Sequence, residues 1–271
     1  MKNFITRTLS GAVYVALIIA SILISKYTFA AFFAILLLVG MGEFNNLTAT
    51  GKRQPIAQVI DMLLGLAVFL GTFAITNDNI DIAPVAISIT SCVIARLVAG
   101  LYLKEELPIK SWAYSFFNVM YVAVPLAMLS VIYSFLPYLA LFMFAMIWIN
   151  DTGAFLVGCT IGKHRMFPRI SPKKSWEGFF GGFVFCILCG IAINYVMNYD
   201  NWLQWALFGA IASAFATWGD LVESLIKRTI GVKDSGNIMP GHGGVMDRFD
   251  SALFTIPVFF ACVSAIPIYS I

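Results

Sequence analysis

The chain has 271 residues, 60% of them apolar types and 11% charged, with 17 basic side chains against 14 acidic ones. Soluble domains carry about 25% charged residues, so an ordinary soluble enzyme, a disordered chain and a disulfide-stapled secreted module are excluded. The net charge of +3 sits in short loops between apolar runs and implies no nucleic-acid partner, which leaves a polytopic integral membrane protein.

A spanning helix needs about 20 mostly apolar residues. In chain order the candidates are 9–25, 27–42, 56–76, 82–103, 111–133, 137–159, 178–197, 203–222 and 247–269. The runs are long and continuous, as from Leu9 to Ile24. A β-barrel would instead alternate over segments of about ten residues, so the expected fold is all-α with about nine transmembrane helices. The second span is short unless it extends past Glu43. Lys2 and Arg7 ahead of the first run resemble a signal peptide, but no small-residue cleavage site follows, and a retained first helix is expected.

Lys and Arg in short loops set orientation. With the N-terminus inside, Lys26 is the one basic residue in an outer connection and Arg96 the one within a span, while all the others fall on the inner side. The outer connections are acidic or neutral, as in Asn77-Asp78-Asn79-Ile80-Asp81. The expected topology is N-in/C-out. Three blocks follow: N-terminal membrane helices at 1–103, middle helices at 104–149, and a C-terminal catalytic region with its inner loops at 150–271.

All five cysteines lie in apolar runs, and Cys186-Ile187-Leu188-Cys189 reads as small apolar residues on a helix rather than a zinc site. Gly158-x-x-x-Gly162 and Gly178-x-x-x-Gly182 suit close helix packing.

Polar residues in membrane spans are costly and therefore informative. The first half holds Asp61 and Arg96, read as a structural ion pair between the third and fourth spans, and Glu43 and Arg53, read as solvated near the surface. The second half holds three clusters, all inner-facing by the topology above. The first is Asn150-Asp151-Thr152-Gly153, either a buried polar knot or a ligand contact. The second runs from Gly162 to Gly178 and carries Lys163, Arg165, Arg169, Lys173 and Lys174, with Pro168 and Pro172 fixing its path. Positive-inside topology accounts for its charge. The turn chemistry of Ser171-Pro172-Lys173-Lys174-Ser175-Trp176-Glu177-Gly178 points further, to anion binding.

The third cluster runs from Gly219 to Ser251. If the eighth helix continues, Asp220, Ser224 and Lys227 share a face at i, i+4 and i+7, and Glu223 and Lys227 form an i,i+4 pair. The Pro240–Gly244 turn lets backbone N–H groups approach a ligand closely. Asp247 and Asp250 open the last helix one turn apart, where helix capping accounts for one of them.

Hard carboxylates among several cations suit Mg²⁺ shared with phosphates, and phosphoryl transfer needs mainly positioning and charge neutralisation. The chain has no P-loop, H-E-x-x-H or G-x-S-x-G motif. His164 and His242 are its two histidines, too few for a multi-histidine metal site.

The run Ser224-x-Ile226-Lys227-Arg228, then Lys233-Asp234-x-Gly236, then Pro240-x-His242-Gly243-Gly244-Val245-x-Asp247-Arg248-Phe249-Asp250 closely resembles the motif of the phosphatidate cytidylyltransferase (CDP-diacylglycerol synthase) family. Met239 departs mildly from it. Asn150–Gly153 and Ser171–Gly178 are similar to the same family's upstream segments. The resemblance implies attack of the phosphatidate phosphate on the α-phosphorus of CTP, releasing pyrophosphate and forming CDP-diacylglycerol for phospholipid synthesis. It also implies Mg²⁺, a second cation such as K⁺, a homodimer, and a place in the cell (inner) membrane with the active site facing the cytoplasm.

Taken with the residue chemistry, the expected roles are these. Asp220 and Asp247 hold Mg²⁺. Lys227, Arg228 and Lys233 neutralise the transferred phosphoryl group and the pyrophosphate. Lys173 and Lys174 contact a phosphate chain. Asp234, His242, Gly243 and Gly244 shape the pocket, Asn150, Asp151 and Ser224 line it, and Arg248 and Asp250 complete the substrate-binding set. A transporter, the rival from another class, would spread charges over both halves or show an inverted repeat.

Overall fold

The computed structural model describes residues 2–49, 54–103, 107–236 and 243–265, with side chains described from Ser10 onward. Its helices are α1 (Lys2–Ile24), α2 (Lys26–Thr48), α3 (Pro55–Asp78), α4 (Ile82–Tyr102), α5 (Pro108–Asn118), α6 (Val124–Phe135), α7 (Pro137–Ile161), α8 (Trp176–Met197), α9 (Trp202–Ile230) and α10 (Met246–Ala265). A π-helical turn, Val119–Ala123, joins α5 to α6 into one span of 28 residues. Among the described residues, eight spans are long and apolar enough to cross a membrane, and α1 adds the shorter apolar run Ser10–Ile24. The fold is that of a polytopic helical membrane protein.

Three local features depart from the expected outline. Helix α2 does extend past Glu43. It starts at a capping box in which Ser25 and Thr28 satisfy each other's backbone N–H, and it runs on to Thr48. Helix α9 outlasts its apolar stretch by eight residues because its polar face pairs internally, Ser224 with Asp220 and Lys227 with Glu223, each at i,i+4. It stops at Gly231, whose φ of 83° is left-handed and whose N–H bonds the Arg228 carbonyl. The π turn precedes Pro125, whose ring would clash with the carbonyl four residues back in a regular helix.

The basic loop of the second half is a short antiparallel hairpin, β1 (Arg165–Phe167) and β2 (Ser171–Ser175). Its turn closes through Ile170 N–H to the Phe167 carbonyl, and Ser175 then caps α8 by accepting from Gly178 N–H. No alternating apolar pattern announced these strands.

By packing, the chain forms two compact units: Met1–Pro137 with Asp234–Arg248, and Tyr138–Lys233 with Phe249–Ile271. Between apolar helices in lipid, packing and polar contacts replace the hydrophobic effect as the source of association. The first unit packs Phe29 against Phe33 and Tyr133, with ring centroids 4.7 and 4.2 Å apart. Helix α4 turns most of its surface outward, and its buried residues are Arg96 and Gly100. Arg96 Nε donates to Asp61 at 3.1 Å and Ser115 at 2.9 Å, its Nη2 donates to Ser111 at 2.6 Å, and the Ser115 hydroxyl donates back to Asp61 at 2.8 Å. The expected ion pair between the third and fourth spans is therefore present, and it draws in α5. The second unit centres on Trp205, whose indole packs on Tyr199, Phe208 and Phe142. Both small-residue motifs lie where α7 and α8 touch: a Cβ on Gly178 would stand 3.3 Å from the Gly158 Cα.

Candidate functional site

Within the second unit, α7, the hairpin, α8 and α9 enclose a cavity of about 270 Å³ whose polar lining is Asn150, Asp151, Lys173, Lys174, Ser175, Thr217 and Asp220. The first two sequence clusters and the start of the third thus share one pocket. Asn150 is buried in α7, where its Oδ1 accepts from Ser213 at 2.6 Å and its Nδ2 donates to Thr217 at 3.5 Å. Asn150 therefore belongs to a buried polar knot, and that knot forms part of the cavity wall. Asp151 is exposed on the same helix.

The hairpin gives the cavity its cations. Pro172 and the turn hold β2 so that Lys173 is exposed and Lys174 reaches α9. Lys174 Nζ lies 2.7 Å from Asp220 Oδ2 and donates to the Thr217 carbonyl at 3.3 Å. Asp220 Oδ1 accepts from Ser224 at 3.2 Å. The side chain of Asp220 remains 37% exposed, so water and ions reach it. Beside it, the Asp250 carboxyl lies close to those of Glu223 and Asp220. Lys227 is buried and donates to Glu223 at 3.2 Å. Arg228 donates to the Val232 carbonyl at the end of α9, and Lys233 is exposed beyond it.

The rest of the third cluster belongs to the first unit. Asp234 and Arg248 are exposed there. Asp247 Oδ2 accepts from Ser235 N–H and Gly244 N–H, each at 2.8 Å, and from the Ser235 hydroxyl at 3.0 Å. Gly243 has a φ of 80°, which an L side chain rarely adopts. The amide of Gly244 is thus engaged by a carboxylate of the chain itself. His242 lies outside the described residues, as does Arg53.

Glu43 corrects the sequence reading. It is not solvated but 5% exposed, and its carboxylate accepts from Val245 N–H, Met246 N–H and the Ser235 hydroxyl. The orphan N–H groups of the α10 start bind it more strongly than water could in that buried position. A lone acid in the apolar run of α2 was the available signal. Ser213 and Thr217 were also passed over. They extend the stripe of Asp220, Ser224 and Lys227 back along one face of α9, at alternating spacings of four and three, and that periodicity was legible.

Among the described residues no group of three or more His, Cys, Asp or Glu side chains is arranged to hold a metal. A Mg²⁺ ion usually takes one or two protein carboxylates and completes its shell with water and substrate phosphates. The half-exposed Asp220, an oxygen donor at the wall of a cavity that also carries two lysines, fits that mode.

The model of the cytidylyltransferase family matches residues 5–266. The chain is 48% identical over 120 residues to phosphatidate cytidylyltransferase of Staphylococcus aureus (strain COL), a stretch covering 44% of this chain and 46% of that protein. It is 49% identical over 124 residues to the phosphatidate cytidylyltransferase of Staphylococcus epidermidis (strain ATCC 12228), with the same coverage, and 47% identical over 120 residues to that of Staphylococcus haemolyticus (strain JCSC1435). The chain spans about half the length of the curated relatives it matches. With a family match over nearly its whole length, this chain belongs to the cytidylyltransferase family, that of the phosphatidate cytidylyltransferases.

Proposed function

We propose that the protein is a phosphatidate cytidylyltransferase, converting CTP and phosphatidate to CDP-diacylglycerol and pyrophosphate in phospholipid synthesis. The observation that carries this reading is the second-unit cavity, which gathers Lys173, Lys174 and Asp220 in its lining in a chain of this family. Two lysines and a hard carboxylate match a triphosphate better than an uncharged ligand. In the reaction a phosphatidate oxygen bonds to the α-phosphorus of CTP while the bond to the β-phosphate oxygen breaks, and pyrophosphate leaves with that electron pair. The attacking phosphate is already anionic at neutral pH, so no strong general base is required.

Lys173 and Lys174 bind the phosphate chain. For Lys174 this exchanges Asp220 for a phosphate oxygen, one charged partner for another. Lys227, Arg228 and Lys233 neutralise the charge that grows on the phosphoryl group and on pyrophosphate. Asn150, Asp151 and Ser224 line the pocket from the helices, and Asp234, His242, Gly243, Gly244, Arg248 and Asp250 complete the substrate-binding set. Asp220 and Asp247 are the ligands proposed for Mg²⁺, on their oxygen chemistry and the family motif. When bound there, the ion supplies charge neutralisation on the phosphates. A second cation such as K⁺, a homodimer, the N-in/C-out topology and a cytoplasm-facing site in the cell membrane belong to the same proposal. Their support is the inner-loop excess of Lys and Arg and a simple constraint: CTP is water-soluble, while the acyl chains stay in the bilayer.

The test is direct. Purified protein in detergent, given α-labelled CTP, phosphatidate and Mg²⁺, is expected to yield a labelled lipid. Absence of labelled lipid with every divalent metal tried overturns the assignment.

A further inference from the structure

We propose that Glu43 is a positioning residue for Asp247, acting from a different helix through Ser235 and the first turn of α10. The proposal rests on the reading of Asp247 as a Mg²⁺ ligand in nucleotidyl transfer. All of its residues belong to the first unit.

Glu43 is a buried carboxylate in an apolar span, a costly placement unless polar partners compensate it. The compensation is specific. Its Oε1 accepts from Val245 N–H at 2.9 Å, and its Oε2 accepts from Met246 N–H at 2.9 Å and from the Ser235 hydroxyl at 3.0 Å. Val245 and Met246 carry N–H groups that the helix itself leaves without partners, and negative charge is favourable at this end of α10.

Ser235 links the two acids. Its single hydroxyl proton is shared between Glu43 Oε2 and Asp247 Oδ2, each 3.0 Å away. Its own N–H donates to Asp247. A small side chain at the helix start would suffice to cap α10. A carboxylate sent in from α2 does more, because it holds both the helix start and the serine that orients Asp247.

The loop glycines fit this account. A Cβ on Gly236 would stand 2.6 Å from Glu43 Oε1, and one on Gly244 would overlap both the Ser235 hydroxyl and the Glu43 carboxylate. One on Gly243 would overlap the Asp247 carboxylate. Gly236, Gly243 and Gly244 therefore make room for two acids of the chain itself. Tyr14 adds a second brace, its hydroxyl donating to the Arg248 carbonyl at 3.1 Å.

The test uses the full chain in detergent with Glu43→Gln, which keeps the volume but presents an N–H to backbone donors. Hydrogen exchange should speed up by about tenfold or more at Val245 and Met246, which lose a charged acceptor, and also at Ser235 and Gly244, whose acceptor is Asp247. Turnover should fall about 10–100-fold, with a raised Mg²⁺ requirement and a CTP KM little changed, the pattern of a group that supports a metal ligand. Acceleration confined to Val245 and Met246 overturns the positioning role. So does wild-type turnover and Mg²⁺ response per folded molecule. Should the glutamine variant not fold, Ser235→Ala decides. Faster exchange at Gly244 with a raised Mg²⁺ requirement supports the link, and no change in either overturns it. If the wild type makes no labelled lipid, the functional reading fails, and the exchange pattern alone then decides the role of Glu43.

Discussion

Two ion pairs, one in each unit, show what a charge is for in this chain. Arg96 and Asp61 are 1% and 4% exposed, and Ser111 and Ser115 close the network around them. Lys174 and Asp220 are 25% and 37% exposed and line a cavity. The first pair is buried and hydrogen-bonded among α3, α4 and α5, so exchanging a partner would strand a buried charge. In the second pair, water reaches both groups, and a phosphate oxygen or a cation can replace either partner at small cost. Burial marks the structural pair, and access marks the pair proposed to meet substrate.

The largest expected effect breaks the first pair. Arg96→Ala should destabilise the protein by about 3–5 kcal/mol, because Asp61 is left charged and buried. Thermal unfolding in detergent reads this out. Replacing both residues together, Asp61→Leu with Arg96→Met, should recover most of the loss. A double variant as unstable as the single one would show that the pair itself, and not the stranded charge, stabilises the unit.

Asp220→Asn should behave in the opposite way. It should lower labelled-lipid formation by about 10²–10³-fold, the scale for losing one preorganised electrostatic group, with a melting temperature close to that of the wild type. Loss of stability without loss of turnover would place Asp220 with Asp61 instead. Lys174→Ala should raise the CTP KM about tenfold or somewhat more, the worth of a charged hydrogen bond, with a smaller change in kcat. An unchanged KM would remove Lys174 from phosphate binding.

The smallest effect belongs to a third pair, Lys26 with Asp78, at 38% and 28% exposure on the first unit. Solvent screens it, so Asp78→Asn should leave both melting temperature and turnover indistinguishable from wild type. A clear shift in either would show that exposure alone is too coarse a criterion for telling the pairs apart.

Much of this was legible beforehand. Apolar runs located the spans, because lipid accepts few other sequences. Asp61 and Arg96 could be paired from their isolation in adjacent helices. The polar stretch 224–250 carried the family resemblance by itself. Glu43 was misread because its partners are backbone N–H groups some two hundred residues away, and no spacing rule connects them. The hairpin was missed because Ser171-Pro172-Lys173-Lys174-Ser175 has no alternating apolar face. Its strands are held by the turn, by the Ser175 cap and by the Trp176 N–H bond to the His164 carbonyl.

The sequence by itself determined that the chain is a bundle of membrane helices, that its polar chemistry is concentrated after residue 150, and to which family it belongs. These follow from composition and local pattern, since an apolar run of sufficient length has little choice but to span and a motif is a string of neighbours. Tertiary structure decided which charges are committed and which are accessible. Lys174 was expected to meet phosphate, and its partner in the fold is Asp220. Glu43 was expected to meet water and instead holds the start of α10. A side chain's role in a membrane protein depends on which donors reach it at 3 Å, and packing alone sets that.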